Sequence, residues 1–211
     1  MKFICVAILF LSAVCLTSAE LQCSQKELKI PKNWIDMVNP CVESMRNQIE
    51  EELKASMRYM AMGAYFSQDT VNRPGFADIF FKSASEEREH AIKLIHYLLM
   101  RGELTHDVSK LIKRNLTPAT TSWANGVSAL KDALELEAQV TKKIRKVIQK
   151  CEDNEKFNDY HLVDYLTGEF LEEQYKGQRE IAGRISTLEK LMEKHGALGE
   201  WLFDKKLQAA E

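Results

Sequence analysis

Helix breakers are scarce in this chain, with four prolines and nine glycines among 211 residues. All four prolines, Pro31, Pro40, Pro74 and Pro118, fall between or before the long helical stretches. Sustained alternation of β-branched residues is absent, which argues against a sheet protein. Internal repeats and low-complexity tracts are absent too. Charge of one sign is not in excess, since the net charge is only -2. Composition therefore gives no reason to expect nucleic acid or a membrane surface as partner. Beyond the first residues no apolar run is long enough to cross a bilayer. What remains is an ordinary globular mix, 45% apolar and 28% charged, long enough for one sizeable core.

The chain opens Met1-Lys2, followed by an apolar run from Phe3 to Leu16 and then Thr17-Ser18-Ala19. A basic start, a short apolar core and a small-residue site form the pattern of a secretory signal peptide. Cleavage is expected after Ala19, which places the protein in the secretory lumen or outside the cell. An N-terminal anchor is the weaker reading, because the run is too short to span. Of five cysteines, Cys5 and Cys15 would leave with the signal, and Cys23, Cys41 and Cys151 would remain. An oxidising compartment permits disulfides, but three is an odd number. The favoured arrangement joins Cys41 to Cys151 and leaves Cys23 to reach another subunit; a buried free thiol is the alternative. Asn115-Leu116-Thr117 is a glycosylation sequon in a loop, with Pro118 directly after it.

Residues 20–41 carry two prolines and two cysteines and read as an irregular arm. Residues 42–211 read as one helical domain. Its four stretches run from about Val42 to Phe66, Phe76 to Met100, Asn125 to Lys150 and Tyr160 to Lys194. At roughly 25 to 35 residues each, they exceed the mean globular helix of about 12. His195-Gly196 is a helix stop, and Leu198 to Leu207 suits a short fifth helix. Two links are short and one, between the second and third stretches, is long. This predicts an all-α four-helix bundle with one long crossover.

The second stretch contains Glu86-Glu87-Arg88-Glu89-His90. Glu87 and His90 stand three apart and share one helix face. In the first stretch Glu52 and Tyr59 are two turns apart, on a side that also carries Met45, Ile49, Ser56 and Met60. A carboxylate on such an apolar face must be paired, neutralised or bound to metal. The third stretch offers Glu137 and the fourth Gln174. Oxygen donors with one imidazole and no thiolate favour iron or manganese over structural zinc. Glu87 is suited to bridge two ions, with Glu52 and His90 on one and Glu137 on the other. Tyr59 and Gln174 would orient ligands and water. Taken alone, Glu87 and His90 would pass for a solvated helix face, with Glu86 and Glu89 pairing with Lys82 or Lys93. The pattern across four helices points to a site. Bundles that hold two ions commonly draw a Glu-x-x-His from each of two helices. Only one is present here, so the second ion would be held more weakly, as suits oxidation followed by release.

Several segments together resemble ferritin: Gln48-Ile49-x-x-Glu52-Leu53-x-Ala55-Ser56, Glu86-Glu87-Arg88-Glu89-His90-Ala91, Leu136-Glu137, Glu173-Gln174 and Leu202-Phe203-Asp204-Lys205. The resemblance covers about Asn47 to Lys206, in order. Its site residues resemble those of the heavy-type, ferroxidase subunit, and its signal and cysteine-bearing arm resemble secretory ferritins of insects. It implies a hollow cage of twenty-four subunits, shared with a light-type partner. In such a cage dioxygen or peroxide oxidises two ferrous ions within each heavy-type bundle, and ferric product joins a mineral core. By position, Glu52, Glu87, His90 and Glu137 match the iron ligands, and Tyr59 and Gln174 the supporting residues, with Gln174 also close enough in role to count among the iron-binding set. Glu86 and Glu89 match acidic residues on the path to mineral.

Two departures accompany the match. At the three-fold channel Asp164 fits the family pattern, but Thr167 replaces the expected Glu; entry there would be less acidic, or would use another carboxylate such as Glu169. Ile92 replaces the third acid of the inner-surface cluster. The rival readings are a storage or transport subunit that does not oxidise iron, a secreted bundle that binds a partner, and a different di-iron oxygenase.

Overall fold

A computed structural model of the chain describes residues 29–104, 111–152 and 158–209. The chain divides into two units, Met1–Lys32 and Asn33–Glu211. Residues 29–32 of the first are described and carry no regular secondary structure. The expected signal peptide and Cys23 lie outside the described residues.

Every regular element among the described residues is helical. The first two helices are α1 (Asn39–Ser67) and α2 (Pro74–Met100), followed by α3 (Gly126–Glu152). The fourth, α4, runs unbroken through Tyr160–Tyr165, a π-helical turn at Leu166–Leu171, and Glu172–His195. A fifth, α5, spans Ala197–Gln208. The expected four long helices, long crossover and short terminal helix are all present. α1 begins three residues earlier than its sequence pattern suggests. Pro40 sits in its first turn, where a missing N–H costs nothing and the fixed φ is already helical.

The apolar faces meet in two clusters. One contains Met45, Ile49, Leu94, Leu98, Val140, Ile144 and Phe170. The other contains Tyr59, Met62, Phe66, Phe76, Phe80, Leu130, Leu188 and Phe203. Phe66 stacks on Phe76 with ring centroids 5.2 Å apart, and Ser56 donates to the Ala84 carbonyl at 2.5 Å. These contacts fix α1 and α2 as antiparallel neighbours, as a short link requires. α1 also packs on α3, and α3 on α4. Met60, expected on the inner face of α1, is 45% exposed. Met62 and Gly63 are buried instead, because the helical turn carries Met60 about 100° away from Tyr59.

The expected Cys41–Cys151 disulfide is present, with Cα atoms 4.8 Å apart, a usual spacing. It ties the start of α1 to the end of α3 across 110 residues. A loop of that length restricts the unfolded chain by about 4–5 kcal/mol in the chain-entropy view.

Buried acids hold the ends of the helices. On α5, Glu200 Oε2 accepts from Gly126 N at 2.9 Å, and Asp204 Oδ1 from Phe76 N at 3.1 Å. Each thereby satisfies a free N–H at the positive end of a long helix. Glu200 also pairs with Arg73 at 3.1 Å. Gly75 lets the start of α2 approach this closely, since a Cβ there would collide with the Asp204 carbonyl. Gly196, with φ of 56°, makes the break that turns α5 back onto α2 and α4.

The Asp204 bond is directly testable. Asp204→Ala should lower the unfolding free energy by about 1–2 kcal/mol, measured by urea denaturation of the full chain. Asp204→Asn keeps an acceptor and should lose less; equal losses would show that this bond contributes nothing.

Candidate metal centre

Between the two apolar clusters lies a layer of polar side chains, supplied by all four long helices. α1 contributes Glu52, fully buried, after Ile49 of one cluster and before Tyr59 of the other. α2 contributes Glu87 and His90, α3 Glu137 and α4 Gln174, each less than a tenth exposed. In every helix the polar residue falls on the core face at the boundary between clusters, so chain direction and helical period bring the groups to one level.

Glu52, Glu87 and His90 each offer a ligand atom, and these atoms lie within 4.8 Å of one another. His90 Nδ1 is 3.6 Å from Glu87 Oε2. Gln48 donates to Glu52 Oε1 at 2.8 Å. Glu52 Oε2, Glu87 Oε2 and His90 Nδ1 are buried and make no hydrogen bond. Glu137 stands outside this tight group and accepts a short hydrogen bond from the Tyr59 hydroxyl. Gln174 accepts from Thr141 Oγ1 at 2.8 Å.

Burial and mutual repulsion control the charges. Burial pushes the Glu52 carboxyl well above its usual range, and the neighbouring Glu87 adds to the effect. Glu87 is pushed up to about 8 by burial and by the Glu137 charge. Glu137 is raised by burial despite its hydrogen bonds from Tyr59 and Gln174. The Tyr59 hydroxyl is held well above its usual range by burial and by Glu137, so it stays a donor. Without a cation this layer keeps protons that its carboxylates would lose in water. A divalent cation can displace them and use the three unpartnered atoms. Hard oxygen donors with one imidazole suit iron or manganese.

A cleft between α2 and α4 leads to Glu87, His90 and Glu137. Glu86 is exposed and lines its mouth with Lys82 and Glu173. Glu173, which the sequence motif contains but to which it assigns no role, brings Oε2 to 3.2 Å from His90 Nε2. Glu89, Ile92 and Asp164 are exposed. Asp164 lies on the first stretch of α4 and is not part of the Glu52–Glu87–His90 group. Thr167 and Glu169 are exposed on the π-helical turn. That turn serves the site. The buried residues Leu162, Leu166, Phe170 and Gln174 follow at four-residue steps, each drifting about 40° in a straight α-helix. One wider turn takes up the drift, keeping Gln174 inward and Phe170 with its ring centroid 5.5 Å from that of His90.

A crossover bundle with a carboxylate–imidazole layer at mid-height defines a metal-handling helical protein. The comparisons with known proteins specify the family. The ferritin-like domain of the ferritin family matches residues 42–191. The ferritin heavy chain of Trichoplusia ni is 63% identical over 195 residues, covering 92% of each chain. That of Drosophila melanogaster is 57% identical over 201 residues, covering 95% of this chain and 97% of the relative. The crystal structure of Trichoplusia ni secreted ferritin superposes with a TM-score of 0.85 at 63% identity, covering 89% of this chain and 98% of that one. The chain belongs to the ferritin family, whose members are iron-storage subunits that form cages.

A substitution separates the cost of the buried charge from its use. Glu87→Gln keeps the shape and removes the charge. In chelator-treated protein it should raise stability by about 1–3 kcal/mol near pH 8. Glu87 has its carboxyl raised from 4.5 to about 8, so the gain is absent below pH 4.5. It grows as pH climbs toward 8 and then levels. Thermal unfolding across that range, with and without a divalent cation, is the measurement, and the cation should stabilise the wild type more than the variant.

Proposed function

We propose that this ferritin subunit oxidises ferrous iron at a di-iron centre and passes the product to a mineral core. Iron is the substrate here rather than a resident cofactor. Glu52 and His90 would hold one ion, Glu137 the other, and Glu87 would bridge them. Tyr59 would keep Glu137 in place, and Gln174 would lie beside the second ion. Two ferrous ions supply two electrons, enough with two protons to reduce one dioxygen to hydrogen peroxide. The observation that carries this reading is the set of three buried, unpartnered ligand atoms on Glu52, Glu87 and His90. The heavy-chain names of the relatives support it.

On the same reading Glu86 leads ions along the cleft, and Asp164 belongs to a channel between subunits in which Thr167 lowers the acidity. The subunit would be made with residues 1–19 as signal peptide and residues 20–41 as an arm. It would be secreted, as the name of the Trichoplusia ni structure supports. It would share a cage of twenty-four subunits with a light-type partner, with Cys23 making a disulfide between subunits.

Stopped-flow oxidation of ferrous iron by the purified cage tests the centre, beside Glu52→Ala/His90→Ala. A fast phase saturating near about two ions per subunit, and lost in the variant, is expected. Glu87→Ala should be slower than His90→Ala, because a bridging group touches both ions. Either should slow the fast phase by at least about 10–100-fold, the scale already seen when supporting groups of metal ligands are removed. Equal slow oxidation in wild type and variant would leave a storage or transport subunit that does not oxidise iron.

A further inference from the structure

The sequon Asn115-Leu116-Thr117 has no part in the metal centre. It lies on the crossover between α2 and α3, and the structure gives it a definite place. Two residues before it, buried Glu50 of α1 pins the chain. The Glu50 carboxylate accepts from Lys113 N, from Arg114 N at 3.2 Å and from Arg114 Nε at 2.5 Å. Arg114 also pairs with Glu51 at 2.7 Å, and Glu51 with Lys143 of α3 at 3.3 Å. Burial opposes the charge on Glu50, but the Lys113 and Arg114 bonds prevail and hold its carboxyl below the usual value. The crossover is therefore clamped over the groove between α1 and α3.

That groove is opposite the cleft. α1 packs on both α2 and α3, and α3 packs on α4, so the α2–α4 cleft and the α1–α3 groove lie on opposite sides of the bundle. Asn115 and Thr117 are both exposed. Thr117 N donates to Asn115 Oδ1 at 2.9 Å, so the sequon forms a local turn exposed to solvent.

We infer that Asn115 carries an N-linked glycan on the outer face of the cage. This rests on the secretory and cage reading above. In the transfer, Asn115 Nδ2 forms a bond to the anomeric carbon of an oligosaccharide carried on a lipid diphosphate. The bond from that carbon to the diphosphate oxygen breaks, the lipid diphosphate leaves, and Nδ2 gives up one proton. The cleft leads to the iron-handling layer and must face the mineral. The glycan, on the reverse side, projects into solvent and leaves the cavity free.

The experiment expresses the full chain in insect cells, isolates the assembled, iron-loaded cage from the medium, and treats it undenatured with a peptide N-glycosidase. The subunit band should shift to lower mass and Asn115 should be converted to aspartate in peptide maps. Asn115→Gln and Thr117→Ala should each migrate at the digested position, with iron oxidation at the wild-type rate. Release of the glycan only after denaturation would overturn its outer placement. An unmodified Asn115 would overturn the inference as a whole. If that unmodified protein begins at Glu20, the sequon alone has failed; if it stays in the cell with residues 1–19 attached, the secretory reading has failed with it.

Discussion

The structure turns on the burial of several carboxyl groups at one level of a helical bundle. Glu52, Glu87 and Glu137 are placed where water is excluded, and each is raised above the usual carboxylate range chiefly by that burial. Such a layer is unfavourable by itself. It persists because two apolar clusters, one on each side along the helix axes, clamp the helices that carry it. Every helix must alternate core, polar residue and core again at matching heights. The lengths of α1 to α4, the antiparallel order and the crossover are what satisfy that condition.

Other buried acids in the same fold show that burial alone does not make a site. Glu50 is 3% exposed, yet its carboxyl is lowered, because Lys113 and Arg114 outweigh the burial. Glu200 caps α3 and pairs with Arg73. Asp159 caps the start of α4 through Leu162 N at 3.1 Å and pairs with Arg101. Each of these groups has a donor or a cationic partner within the chain; Asp159 Oδ2 makes no hydrogen bond but lies 2.9 Å from Arg101. Glu52, Glu87 and His90 also each keep an atom without a hydrogen bond, and they offer ligand atoms within 4.8 Å of one another. The carboxyl shifts of Glu50 and Glu52, two residues apart, run in opposite directions: Glu50 is held by donors within the chain, and Glu52 stands in a group that could hold a cation.

Much of this was legible in the sequence, and for a physical reason. Acidic residues on otherwise apolar helix faces stand out against a period of 3.6, so Glu52, Glu87, His90, Glu137 and Gln174 could be found. The end of α4 is visible where Gly196 marks it, whereas Pro74, which the sequence pattern leaves in the loop before Phe76, is the first residue of α2. What escaped depends on long-range partners or local departures from regularity. The caps on α2 and α3 come from Asp204 and Glu200, 128 and 74 residues away. Nothing near Glu50 in sequence indicates that it will hold the crossover. Met60 was misplaced by a single step of the helix. The π-helical turn did leave a trace, since Leu162, Leu166, Phe170 and Gln174 repeat at strict four-residue intervals that a straight α-helix cannot keep on one face.

The two halves of the polar layer are unequal. Glu52, Glu87 and His90 converge, while Glu137 is occupied by Tyr59 and Gln174 by Thr141. An ion beside Glu137 would meet a carboxylate already sharing a proton donor and an amide in place of an imidazole, so it would be held less tightly than its neighbour. For a permanent cofactor this would be a defect. On the proposed reading iron must arrive, be oxidised and leave, and one firm position and one loose position would let the pair form without trapping the product. The exposed Glu173, beside His90, and Glu86 line the cleft and extend the acidic surface outward from the layer. On the proposed reading, the product leaves along that cleft.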